Sequence, residues 1–135
     1  MDTRVVARSS GRTKVEVAGA SARTVLDLEK ADGGAGEELS PRETLLAALG
    51  ACTIMTLRLY AARKGWPLEA VEVALSHDRP APGAGLDAHE KIGLDVRLTG
   101  PLDDAQKAKL LEIAHKCPVR RTLMDDLVFE QRLVP

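Results

Sequence analysis

The sequence predicts an α+β domain in which a mostly antiparallel sheet carries two helices. Two observations lead there. Short runs rich in Val and Thr, separated by turn residues, occupy the beginning and the later part of the chain. Between and after them lie one long stretch with clear helix ends and one shorter amphipathic stretch. A length of 135 residues fits one domain spanning 1–135.

Taken in order, "RVVARSS", "TKVEVAGA" and "RTVLDLEK" read as three strands separated by "SGR" and "GAS" turns. "ADGGAGEELS" is a Gly-rich loop into the first helix. That helix opens on a capping box, with Ser40 as cap, Pro41 at the first helical position and Glu43 reaching back. Arg63 and Lys64 followed by Gly65 and Pro67 form its stop signal. "LEAVEVALSH" and "KIGLDVRLTG" alternate as strands, with Ile92, Leu94, Val96 and Leu98 on one face. "DRPAPGAGLDAHE" joins them as a loop. "LDDAQKAKLLEIAHK" is the second helix, with Asp103 and Gln106 as its capping pair. "LVFEQRLV" reads as a last strand, which gives the order βββ-α-ββ-α-β with no internal repeat.

Composition excludes several classes. Hydrophobic residues at 44% with charged residues at 29% describe a folded rather than a disordered chain. One Phe, one Tyr and one Trp leave an aliphatic core. A net charge of −1 offers no basic footprint, so nucleic acid is not an expected partner. No uninterrupted apolar run approaches the ~18 residues of a membrane span, and "MDTRVVARSS" lacks the apolar run of a signal peptide. A cytoplasmic protein with no membrane association is the expectation.

The chemistry concentrates on two cysteines. Cys52 lies within the uncharged segment 44–57, and Cys117 directly follows the second helix in "HKCPVRRTL". The first helix is apolar on every side over 44–57, more than one sheet and one amphipathic helix can cover. A second copy of the chain is therefore expected against it, as a homodimer.

"SPRETLLAALGACT" followed by "CPVRRTL" resembles the OsmC/Ohr family of thiol-dependent hydroperoxide reductases. The resemblance covers nearly the whole chain in element order, and "LLAALGACTIMTLRLYAARKGWPLE" is similar to the OsmC-like subgroup. It implies an OsmC-like fold, an intertwined dimer with active sites at the interface, Cys52 as peroxidatic thiol and Cys117 as resolving thiol. It also implies an acidic residue ten positions before the first cysteine and a partner arginine. The acidic position holds Arg42 here, with Glu43 next to it. By the spacing of one branch the arginine falls near Arg12; by that of the other it falls around "LEKAD", which has none.

Peroxide reduction needs a thiolate that becomes a sulfenate, a second thiol that condenses with it, and an external dithiol. The resemblance implies a lipoyl-type dithiol and no metal or organic cofactor. Ala48, Leu49, Met55 and Thr56 flank Cys52 on the helix, and such surroundings hold a thiol protonated. A cation is then required: Arg12, Arg42, an arginine of a second copy, or a new helix start created by a break near Gly50. The aliphatic walls favour an organic hydroperoxide with an apolar tail.

Other readings stand beside these. Cys52 as a small buried hydrophobe fits an OsmC-like dimer that only binds an apolar small molecule. Cys117 joined permanently to Cys52 would close a long loop, worth about 4 kcal/mol, but a reducing cytosol opposes it. Glu43 is explained by its cap alone, and Arg120 and Arg121 by solvation. His115 near Cys117 lacks the second ligand pair of a zinc site, and none of His77, His89 or His115 is placed as a base for Cys52.

Overall fold

The computed structural model describes residues 2–135, which form two compact units, one ending at Ala47 and one spanning Ala48–Pro135. In the first unit, β1 (Val6–Ser9), β2 (Val15–Ala18) and β3 (Arg23–Leu26) form an antiparallel meander. Val6 faces Ala18, and Val15 faces Leu26. Alternating small and β-branched residues suit this pleated surface.

The loop after β3 is organised around Asp27, which is only 2% exposed. Its carboxylate accepts hydrogen bonds from the Thr13 hydroxyl, from the Leu28 N–H at 2.8 Å and from the Ala35 N–H at 3.0 Å. Three donors stabilise the charged form, and the net effect holds the carboxyl below the usual aspartate range, led by the Thr13 hydrogen bond. A single 3-10 turn, Lys30–Asp32, follows. Gly34 then passes so close to the Leu28 carbonyl that a Cβ would overlap it.

The first helix, α1 (Pro41–Lys64), starts as the sequence predicts. The Glu43 N–H donates to the Ser40 hydroxyl at 3.2 Å, and the Ser40 N–H donates to the Glu43 carboxylate at 3.0 Å. It ends at Gly65, whose φ of 67° is left-handed, with the Trp66 N–H bonded to the Ala61 carbonyl at 2.9 Å.

In the second unit, β4 (Ala70–Asp78) and β5 (Lys91–Thr99) form a hairpin of nine facing pairs. Odd positions of β4 and even positions of β5 are half-buried and the others exposed, the period of two that the sequence shows. Asp103 and Gln106 cap α2 (Asp104–Ile113) reciprocally. A 3-10 turn, Ala114–Lys116, leads to a short third helix, α3 (Pro118–Met124). Leu57 and Ala61 of α1 pack with Leu68, Leu102, Leu110, Ile113 and Ala114 into the core. Arg58 fastens α1 to the start of β4 by donating to the Leu68 and Glu69 carbonyls at 2.8 and 2.9 Å.

Three expectations need correction. The strands divide into two antiparallel sheets rather than one. The segment after Met124 forms no strand, because it meets no partner ladder in the chain; Val128, Phe129 and Leu133 are 87%, 88% and 99% exposed. The helix is unbroken at Gly50, whose missing Cβ instead admits a methyl of Leu75 from β4. By length and composition α1 also passes as a helix able to cross a membrane, with mean hydropathy 1.6 over its best window. A central packed helix meets the same criterion, and Leu49, Gly50, Thr53, Leu57 and Ala61 of α1 are buried.

Candidate functional site: a cysteine pair

Leu49, Thr53 and Leu57 share one stripe of α1 and carry it into the protein, which leaves Cys52 on the flank of that stripe, half-buried. The outer face, with Leu45, Met55 and Leu59, is exposed; Met55 is 62% and Leu59 65% accessible. Cys117 is positioned differently. Ile113 and Ala114 anchor the 3-10 turn in the core, and Pro118 at the first position of α3 redirects the chain. Cys117 sits at that corner with no exposed surface, and its carbonyl accepts the Arg121 N–H at 3.0 Å as α3 begins.

Both cysteines are free thiols, and they lie near enough for each to alter the acidity of the other. Their environments push them apart. Burial pushes the Cys52 thiol up, and donation to Cys117 pushes it further, against smaller help from the Val119 N–H and the Thr56 hydroxyl. Cys117 also loses solvation by burial, but the Cys52 thiol, the Arg120 N–H, the Thr53 hydroxyl and the Val119 N–H together hold it below the ordinary thiol value. A charge on the pair therefore rests first on Cys117, with the Cys52 proton shared towards it.

The two threonines limit this support. Thr53 already donates to the Leu49 carbonyl, and Thr56 to the Cys52 carbonyl, each at 2.8 Å. A hydroxyl has one proton, so turning it to a thiolate gives up the backbone bond. Neither shift includes a cation among its main causes. The structure thus unites Cys52 and Cys117.

Arg12 is exposed on the turn between β1 and β2, in the first unit. Arg42 is exposed in the first turn of α1, ten residues or about 15 Å of helical rise from Cys52. Glu43 is engaged by its cap with Ser40.

Sequence reasoning missed the two threonines and the N–H groups of Val119 and Arg120. The proline after Cys117 was the available signal, since a helix starting at Pro118 presents unpaired N–H groups there. Thr56 was placed beside Cys52 only as a helical neighbour and not as a donor, and nothing in the sequence distinguished Thr53. Among the described residues, no three His, Cys, Asp or Glu side chains gather as a metal-ligating group.

Residues 34–131 match the model of a protein family described as OsmC-like protein. An OsmC-like protein from Mycoplasma pneumoniae is similar at 19% identity with a TM-score of 0.77, over 92% of this chain and 88% of that one. The organic hydroperoxide resistance protein OsmC of Legionella pneumophila matches at 23% identity and TM-score 0.66, over 91% and 89% of the two chains. The organic hydroperoxide resistance protein OhrB of Bacillus subtilis matches at 19% identity and TM-score 0.59, over 90% of each. At these identities the likeness is one of fold. No curated protein matches the chain significantly.

Proposed function

The chain belongs to the OsmC family, and from that premise we propose that it is a thiol-dependent peroxidase that reduces organic hydroperoxides through Cys52 and Cys117. What supports the reading is the nearness of the two free thiols within one unit, each altering the acidity of the other. Exposure supports these roles: Cys117 has no accessible surface, whereas Cys52 is half-exposed.

In the first step the Cys52 thiolate attacks the distal oxygen of the hydroperoxide. The O–O bond breaks, Cys52 becomes a sulfenic acid, and the alkoxide leaves as an alcohol after taking a proton. The Cys117 thiolate then attacks the sulfenic sulfur, releasing water and forming a disulfide. An external dithiol, of lipoyl type in this reading, reduces that disulfide by two exchanges and is itself oxidised to a disulfide. The charge must move from Cys117 to Cys52 for the first step, and a guanidinium beside Cys52 would move it. In this reading that guanidinium is Arg12 or Arg42 supplied by a second copy of the chain.

Assembly as a homodimer, with the sites at the interface, belongs to the same proposal. The exposed Leu45, Met55 and Leu59 of α1 and the unpaired apolar tail support it. We take 1–135 as one functional domain acting in the cytoplasm, without nucleic acid or membrane partners. Free-thiol titration after one equivalent of an alkyl hydroperoxide tests the reading. Two thiols disappear per subunit if it holds, and Cys117→Ser leaves a sulfenate on Cys52; an unchanged thiol count removes it.

One observation favours a second reading. The upward push on the Cys52 thiol fits an OsmC-like dimer that binds a small apolar molecule with an inert Cys52.

A further inference from the structure

As a Cys52 thiolate attacks a hydroperoxide, negative charge grows on the oxygen that leaves. A hydrogen-bond donor held beside that oxygen lowers the barrier. Such a donor has to lie next to Cys52, border space that a small molecule can enter, and carry a proton it can redirect.

Thr56 meets all three conditions. It follows Cys52 by four residues, one turn further along the same side of α1. Its hydroxyl donates to the Cys52 carbonyl at 2.8 Å, which holds it against the residue that carries the thiol. Burial raises the Cys52 thiol, and the Thr56 hydroxyl is among the groups that oppose the rise. Thr56 is half-buried and lines a cavity of about 310 Å³, whereas Thr53 has no exposed surface.

The bond to the Cys52 carbonyl can be given up. In the unbroken helix that carbonyl also accepts the backbone N–H four residues on, so it keeps a partner when the hydroxyl turns away. The hydroxyl hydrogen rotates to suit its acceptor. An oxygen gaining negative charge is a stronger acceptor than a neutral carbonyl.

We propose that Thr56 is a catalytic hydrogen-bond donor, whose hydroxyl turns from the Cys52 carbonyl to the leaving oxygen of the hydroperoxide as the O–O bond breaks. This rests on the peroxidase reading. The sulfur–oxygen bond forms as the O–O bond breaks, and the distal oxygen keeps its hydrogen and becomes the sulfenic acid. The sulfur loses two electrons to the hydroperoxide. The other oxygen departs as an alkoxide bonded to Thr56 and takes its proton from water, so Thr56 ends the step unchanged.

The test uses the full chain with Cys117→Ser, so that only Cys52 reacts. Two rates are measured, oxidation by tert-butyl hydroperoxide and alkylation by iodoacetamide. Both scale with the thiolate fraction of Cys52, so their ratio cancels any effect on its acidity. Only the first breaks an O–O bond. Thr56→Val keeps the side-chain shape without the hydroxyl and should lower the ratio about tenfold, the advantage of a charge-assisted bond over a neutral one. Thr56→Ala should show the same loss, and Thr56→Ser, which keeps the hydroxyl, should retain the parent ratio. A ratio unchanged in Thr56→Val and Thr56→Ala, or lowered equally in Thr56→Ser, overturns the proposal and leaves the peroxidase reading standing. A parent protein whose Cys52 alkylates but resists the hydroperoxide sinks that reading and the proposal with it.

Discussion

Leu110 and Leu111 are neighbours on α2 with opposite fates, and truncating each to alanine tests the packing that holds Cys117 in place. Leu110 is 0% exposed and packs in the same cluster as Leu57 and Ile113, while Leu111 is 57% exposed. Removing three carbons from a fully buried leucine forfeits about 2.5 kcal/mol of transfer free energy. The cavity left behind adds ~1–2 kcal/mol, depending on how far Leu57 and Ile113 collapse into it. Leu110→Ala should therefore cost about 3.5–4.5 kcal/mol, and Leu111→Ala within about 0.5 kcal/mol. In urea unfolding, a slope of roughly 1.5 kcal/mol/M turns this into a midpoint lowered by about 2.5–3 M for the first variant and little change for the second. Because Leu110 backs the turn that carries Cys117, Leu110→Ala should also slow disulfide formation at fixed hydroperoxide. Equal costs at the two positions, or less than about 1 kcal/mol at Leu110, would refute the assignment of this face of α2 to the core.

Three further outcomes follow from other parts of the chain. The folded Asp27 carboxyl lies below its unfolded value, so its contribution is present above pH ~4 and is lost as pH falls through the folded value. Acid unfolding of the wild type should thus gain a component below pH ~4 that Asp27→Asn lacks, read by circular dichroism. Gly100 has φ 135°, and a Cβ there would overlap the Pro67 carbonyl, so Gly100→Ala should lower stability by about 2–4 kcal/mol in the same urea assay. On the proposed homodimer, deleting residues 126–135 should shift sedimentation towards the monomer, because Val128, Phe129 and Leu133 of that tail are exposed.

The legible parts of the fold were those written locally. Ser40 with Glu43 and Asp103 with Gln106 are reciprocal caps between residues three apart, and both helices begin where those pairs place them. The alternation of "KIGLDVRLTG" reports a sheet with one covered face, and the face it names is the half-buried one. The tail misled because "LVFEQRLV" alternates equally well, yet alternation cannot supply the partner that a strand needs. Gly50 misled for a related reason: a helical glycine signals either a break or a close approach, and only the position of Leu75 distinguishes them. At the site, the two sulfurs were visible as motifs. Their unequal environments were not, since these depend on N–H groups of Val119 and Arg120 that any residue type but proline would carry.

The most direct test of the account is peptide mapping by mass spectrometry after stoichiometric oxidation with an alkyl hydroperoxide under non-reducing conditions. The account predicts an intrachain disulfide joining the peptide of Cys52 to that of Cys117, reversed by a dithiol. Cys52 driven to sulfinic acid with Cys117 left as a free thiol, or a crosslink found only between chains, would contradict it.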